Sequence, residues 1–364
     1  VRVERTVSIG GVPASGYGSI LAPTGRLSQG ECVMPRTRSL LVVLTLVVGL
    51  FAAVGTAHAI PGSVTRVFGD NRYETAVAIS QRINPPIGSA VVVTTGENYP
   101  DALAAGALAA KVGGVVLLVR PTSVPAVTLA EAVRIDPSTI YFVGGPAAMS
   151  SAVRGQLLVA TGAASVSLDG PDRYGTSIAV SQTYAPASTY LTIATGRSYE
   201  DALLGGALAS RELGVLLLVR GDQPLTQAQK DEIQRLEPFA IRVIGTTASI
   251  SQAVYDEIDA ISGGTGIQRV GDADVHQRAI TMWDQSASFG GDVIFATSEN
   301  WPDALVAGPL VAAESRMLLL SRTDCIPQVV ATRLDTAAVQ ATSLLLVGGP
   351  AALSPAVAAK TVCS

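Results

Sequence analysis

The chain is poor in the residues from which most metal and enzyme sites are built. Its 364 residues include two histidines and three cysteines. That is too few cysteines for a disulfide-framework module or a four-cysteine zinc site, and too few histidines for His-rich metal chemistry. Charged residues make up 15% and aromatics 5%, and lysine occurs only at Lys111, Lys230 and Lys360. With a net charge of −4 there is no support for a nucleic-acid binder, which normally shows a basic face. No dinucleotide-type or phosphate-loop glycine motif falls at a strand–helix junction, and there is no G-x-S-x-G elbow. Downstream of residue 59 one histidine remains, His276, so a Ser-His-Asp triad has a single candidate base and no motif pointing to it. These absences lead to the expectation of no metal, no cofactor and no catalytic centre.

What is present is apolar and small. Hydrophobic residues reach 48%, too many for a disordered chain, and the 36 glycines show no three-residue period of the collagen kind. Residues 1–33 are Gly/Ser-rich, and we read them as an upstream segment outside the native protein. From Met34 the text changes to a short basic head, an apolar run from Ser39 to Gly55, and Ala57-His58-Ala59. That order is a secretory signal peptide over residues 34–59, with cleavage expected after Ala59; the alternative is an uncleaved anchor. Residues 1–59 hold five basic and two acidic residues, so without them the net charge moves from −4 to −7.

The rest repeats three times. TTGENYPDALAAG leads to Arg120, ATGRSYEDALLGG to Arg220 and ATSENWPDALVAG to Arg322. FVGGPAAMSSAV, VIGTTASISQAV and LVGGPAALSPAV form a second block; FGDNRYETAVAIS, DGPDRYGTSIAVS and VGDADVHQRAITM open each copy. The repeats span 64–161, 165–262 and 267–364, and a period of this size is a domain rather than a solenoid rung. In the first copy a short strand at Arg66–Phe68 precedes a helix at Arg72–Ile83. Apolar strands follow at Ala90–Thr94, Val115–Val119 and Thr139–Val143, with helices at Asp101–Val112, Ala126–Ile135 and from Ser151. Helices alternating with fully apolar strands predict three small α/β domains with parallel sheets. Such sheets hold ligands at the carboxyl ends of their strands.

The blocks YPDALAAG and FVGGPAAMS, in fixed order behind a signal peptide, resemble the cell wall-binding repeat type 2 family over residues 64–364. The resemblance implies Rossmann-like or toprim-like domains, three of them packed around a pseudo-threefold axis. It also implies non-covalent attachment to an anionic wall polymer of Gram-positive bacteria. Family members often carry a separate effector domain, and none is left over here. The third opening block departs from the others: Asp274-Val275 stands where Arg72-Tyr73 and Arg173-Tyr174 are expected.

Asp101, Asp201 and Asp303 open Ala-rich helices, where a carboxylate can cap free backbone N–H groups. Tyr99, Tyr199 and Trp301, two positions earlier, either stack on a sugar or plug their own domain. Arg120, Arg220 and Arg322 follow the third strand of each copy. Guanidinium suits bidentate binding of phosphate or carboxylate; the alternative is a solvated or ion-paired surface group. Arg72 and Arg173 join the candidate ligand set. Gly144, Gly145, Gly245, Gly348 and Gly349 are expected to make tight turns. Cys325 and Cys363 are candidates for a disulfide outside the cell. The expectation is therefore a secreted wall-binding protein whose partner is an anionic or carbohydrate polymer. No nucleic-acid partner is expected, nor any membrane contact after cleavage; a separate effector protein is a conceivable further partner. The rival readings are a peptidoglycan hydrolase or amidase modulator, and a self-assembling surface protein.

Overall fold

A computed structural model describes residues 62–98, 101–185, 190–286, 292–336 and 343–363. The segment 1–33, the signal peptide expected at 34–59 and Tyr99 lie outside the described residues. The first repeat contributes β1 (Ser63–Val67), α1 (Arg72–Ile83), β2 (Val91–Thr95), a 3-10 turn (Ala102–Ala104) running into α2 (Ala105–Lys111), β3 (Val115–Val119), α3 (Ala126–Ile135), β4 (Thr139–Val143) and α4 (Ser151–Thr161). The second contributes β5 (Ala164–Leu168), α5 (Arg173–Tyr184), β6 (Tyr190–Thr195), α6 (Tyr199–Glu212), β7 (Val215–Val219), α7 (Gln227–Leu236), β8 (Ala240–Ile244) and α8 (Gln252–Ile261). The third contributes β9 (Gly266–Val270), α9 (Val275–Asp284), β10 (Val293–Thr297), α10 (Pro302–Val306), α11 (Gly308–Ala313), β11 (Met317–Ser321), α12 (Gln328–Leu334), β12 (Ser343–Val347) and α13 (Pro355–Ala358).

Local chemistry accounts for these elements. β2, β3, β7, β10 and β11 are buried at every position and apolar but for Thr94, Thr95, Thr297 and Ser321 near their carboxyl ends, as strands covered on both faces must largely be. Each opening helix starts at a side-chain cap: Asn71, Asp172 and Asp274 accept hydrogen bonds from the first free backbone N–H groups.

The strands form three all-parallel four-stranded sheets, ordered β3-β2-β4-β5, β7-β6-β8-β9 and β11-β10-β12-β1. The fourth strand of every sheet therefore comes from the next repeat, and β1 closes the ring by completing the third sheet. This differs from a simple strand–helix alternation within each copy. The opening strand is half-exposed, with one buried residue at its end, so its own helices do not hold it. It docks on the edge of a neighbour's sheet, while the helix that follows packs on its own repeat, α1 against β3 and α5 against β7.

The three units meet where α2, α6 and α11 pack pairwise about the pseudo-threefold axis. Gly106, Gly206 and Gly308 occupy equivalent places there. A Cβ at Gly308 would lie 3.0 Å from the Cα of Gly106, and one at Gly206 would lie 3.3 Å from the Leu103 carbonyl oxygen. The missing side chains let the helix backbones touch. One apolar core runs through all three units, with Trp283, Leu108 and Phe295 fully buried in it; two satellite cores cover the outer faces of the first and second sheets. Cys325 and Cys363 are disulfide-bonded, with Cα atoms 5.0 Å apart.

Candidate functional site

The carboxyl ends of the strands converge on the seams between units. Asp101 is the N-cap of the 3-10 turn and makes no side-chain capping bond there, while Asp201 and Asp303 lie in the first turns of α6 and α10. Each carboxylate instead faces the opening helix of the next repeat. Asp101 accepts a hydrogen bond from the Thr176 hydroxyl and faces Arg173. Asp201 pairs with Arg278 at 2.5 Å, both side chains being buried. Asp303 accepts from Thr75 and faces Arg72 across the seam between the third and first units. Burial pushes the Asp303 carboxyl up to about 6, against the opposing pull of Thr75 and Arg72. Burial likewise raises Asp101, opposed by Thr176 and Arg173.

The seam turns need their first glycine. Gly144, Gly245 and Gly348 have φ of 109°, 133° and 119°. Their N–H groups donate to Leu168, Val270 and Val67, the last residues of the incoming strands, at 2.9, 2.9 and 3.1 Å. A Cβ at Gly245 or Gly348 would lie 2.7 or 2.6 Å from the seam aspartate Oδ2. Gly145 and Gly349 stand next in the first and third turns, beside Asp169 and Phe68.

The strand ends also correct the register of the third opening block. Val67, Leu168 and Val270 are equivalent, because they pair with Val347, Val143 and Ile244. Counted from there, the caps Asn71, Asp172 and Asp274 align. Val275-His276, rather than Asp274-Val275, is then the counterpart of Arg72-Tyr73 and Arg173-Tyr174. The glycine shared by the three blocks stands one residue earlier in the third and hides this match. Thr75, Thr176 and Arg278 are thereby equivalent, which is why all three meet the seam aspartate. The sequence reading missed these three; their common distance from the helix cap was the signal for them.

The arginines lie at the strand ends. The Arg120 guanidinium sits 4.7 Å from the centre of the Tyr73 ring, and that of Arg220 lies 4.6 Å from the Tyr174 ring. Arg322 lies within electrostatic reach of His276, and burial, with the Arg322 charge adding to it, holds that imidazole below its ordinary range. Each arginine has an acidic neighbour: Glu97 at 4.0 Å, Asp172 at 2.9 Å and Glu299 at 3.9 Å. All three remain about half-exposed. Arg72 and Arg173 are turned elsewhere and donate to the carbonyl oxygens of Gly96 and Gly196. Those glycines press on Tyr73 and Tyr174. In the third unit the smaller His276 leaves room for Ser298, whose Oγ lies 3.2 Å from Nε2.

Tyr199 and Trp301 are half-buried seam residues. The Tyr199 hydroxyl donates to the Ser298 carbonyl of the next unit at 3.1 Å, and Arg72 lies 5.4 Å from the Trp301 ring. At this third seam a cavity of about 160 Å³ is lined by Asn71, Arg72, Thr75, Asn300, Asp303 and Gly349. A larger groove of about 440 Å³, beside α5, is lined by Tyr174, Ile178, Arg220, Thr226 and Gln229. Among the described residues no group of three His, Cys, Asp or Glu comes together as a metal site, and no helix is long and apolar enough to cross a membrane.

Comparison with known proteins agrees with this arrangement. The N-acetylmuramoyl-L-alanine amidase LytC of Bacillus subtilis is 27% identical over 288 residues, 79% of this chain and 56% of that protein. The amidase enhancer of Bacillus subtilis is 23% identical over 265 residues, 72% of this chain and 35% of that protein. The chain thus spans between about a third and a little over half of these relatives. Among solved structures, Cwp6 from Clostridium difficile superposes with a TM-score of 0.73 at 22% identity, covering 83% of this chain and 48% of that one. Cwp8 from the same organism gives 0.72 at 19% identity, covering 81% and 50%. These two establish the fold. The profile described as cell wall binding domain 2 matches residues 66–154, 167–255 and 269–358, and the chain belongs to that family.

Proposed function

We propose that the chain is a secreted, non-catalytic protein that attaches to the bacterial cell wall by gripping an anionic polymer at its three strand-end stations. The observation that carries this reading is the repetition of one arrangement three times around the axis: an exposed arginine at a strand end, beside a seam. Three weak sites on one rigid body gain avidity along a repetitive polymer. At a net charge of −7 for residues 60–364, global attraction cannot hold a polyanion, so local guanidinium groups must. Glu97 and Glu299 stand about 4 Å from their arginines, too far for tight pairing. A phosphate or carboxylate of the polymer can take the bidentate position in their stead. Asp172 holds Arg220 more closely, at 2.9 Å.

The test is retention on purified cell walls at rising salt. Binding should weaken with salt and be lost from walls stripped of acid-labile polymers. It should fall in the triple Arg120→Ala, Arg220→Ala, Arg322→Ala variant, with Arg120 and Arg322 contributing more than Arg220. Unchanged retention in the triple variant would remove the arginines from the site without removing wall binding.

A second reading, modulation of a wall amidase, draws on the relatives named as an amidase and an amidase enhancer. Both extend well beyond the matched part, so the matched part is the binding module in this reading. Adding the chain to an amidase on intact walls and on polymer-stripped walls separates the two, since a modulator acting through the enzyme would act on both. Secretion would be checked by mass spectrometry of the exported protein, with the mature N-terminus expected at Ile60.

A further inference from the structure

The three seams share one design, but the polypeptide crosses only two of them. β5 reaches the first sheet through α4, and β9 reaches the second through α8. β1 reaches the third sheet with no chain connection at the seam. Its contacts are nevertheless those of its counterparts. Ser63 to Val67 pair in register with Ser343 to Val347, as Gly266 to Val270 pair with Ala240 to Ile244. Arg66 donates to the Gly348 carbonyl at 2.7 Å across 282 positions, as Arg269 donates to that of Gly245 at 3.1 Å. Donation of the opening strand to another unit is thus the rule in this chain. At the third seam nothing covalent specifies which copy of β1 is donated.

We propose that β1 is an exchangeable closing strand, and that the β12 edge accepts the same strand from a second copy of this chain to give a strand-exchanged dimer. The acceptor edge is Ser343-Leu344-Leu345-Leu346-Val347, uncharged and apolar after its first residue. An unpaired edge of this kind templates the addition of another strand. The fitting occupant is a parallel strand with arginine next to last and valine last, which is what β1 of a second copy supplies. The exchanged piece is short: α1 keeps its packing on β3 and α3 of its own unit and on α10 and α11 across the seam, and residues 68–71 are the hinge. Closure within one chain benefits from an effective concentration on the order of millimolar, so dilute chains close on themselves. Chains that fold together at high concentration exchange strands, as in domain swapping. The exchange does not depend on polymer binding.

The experiment uses full chains in a Cys32→Ser background. One carries Ser63→Cys, a second carries Ser343→Cys, and a third carries both. The double variant should form an in-chain disulfide on dilute refolding, because the two positions are register partners. The single variants, unfolded with the Cys325–Cys363 bridge intact and refolded together, should form an inter-chain cross-link. Its fraction should rise about tenfold for each tenfold rise in concentration while it is small. No cross-link at any concentration, in a pair whose double variant closes within the chain, overturns exchange. Failure of the double variant to close overturns the placement of β1 on β12 and the proposal with it.

Discussion

At the residue scale, the seam aspartates and the turn glycines they touch form one unit. Gly348 tolerates no side chain, both because its φ is 119° and because a Cβ would lie 2.6 Å from Asp303 Oδ2. Gly348→Ala should cost about 1–3 kcal/mol of stability, read by denaturant melts. Asp303 has a definite pH signature. Its folded value of about 6 lies above the ordinary carboxylate value of 3.8, so the folded state binds more protons than the unfolded state between those limits. The stabilisation from protonated Asp303 is complete below about 3.8 and is lost as pH rises through about 6. Asp303→Asn should therefore flatten the pH dependence of the unfolding free energy across that window, by at most a few kcal/mol. An unchanged slope in the variant would show that Asp303 does not cause it. The residue scale also shows why the third copy looked decayed. His276 replaces Tyr73 and Tyr174, Ser298 takes the room that the two tyrosine rings fill beside Gly96 and Gly196, and Arg278 replaces Thr75 and Thr176. These are compensated exchanges at matched positions, and a comparison of strings one residue out of register cannot pair them.

At the element scale, the helices were legible and the partners of the opening strands were not. The strands β2 and β3 and the helix α1 declare themselves by local pattern, since burial on both faces demands a largely apolar run and the helix carries Ala76, Ile79 and Ile83 at helical spacing. β1, β5 and β9 carry a half-polar pattern that satisfies any parallel edge. Which edge they join depends on contacts far away in sequence. The axial helices are held by small residues. Gly308→Val should destabilise the protein by about 1–3 kcal/mol, because a side chain there meets the Gly106 backbone. The Cys325–Cys363 bridge ties the third unit's last segment to the start of α12 over a separation of 38 residues. Its removal by Cys325→Ser with Cys363→Ser should cost about 2–4 kcal/mol, measured as a fall in Tm under non-reducing conditions.

At the scale of the whole molecule, exchanged strands and a shared core couple the three units. Unfolding should be a single cooperative transition, with Gly308→Val and the double serine variant each lowering the same Tm. Separate melting of a third unit would contradict the shared core. The sequence by itself determined three parallel α/β repeats, the buried strands within them and the family they resemble, because period and apolar patterning are local properties of the chain. Only the tertiary structure decided that each repeat lends its first strand to its neighbour. It also decided that Asp101, Asp201 and Asp303 look across a seam, and that the ring closes at β1 without a covalent link. Three near-identical sheet edges offer an opening strand equivalent partners, and the choice among them rests on how the units pack around the axis.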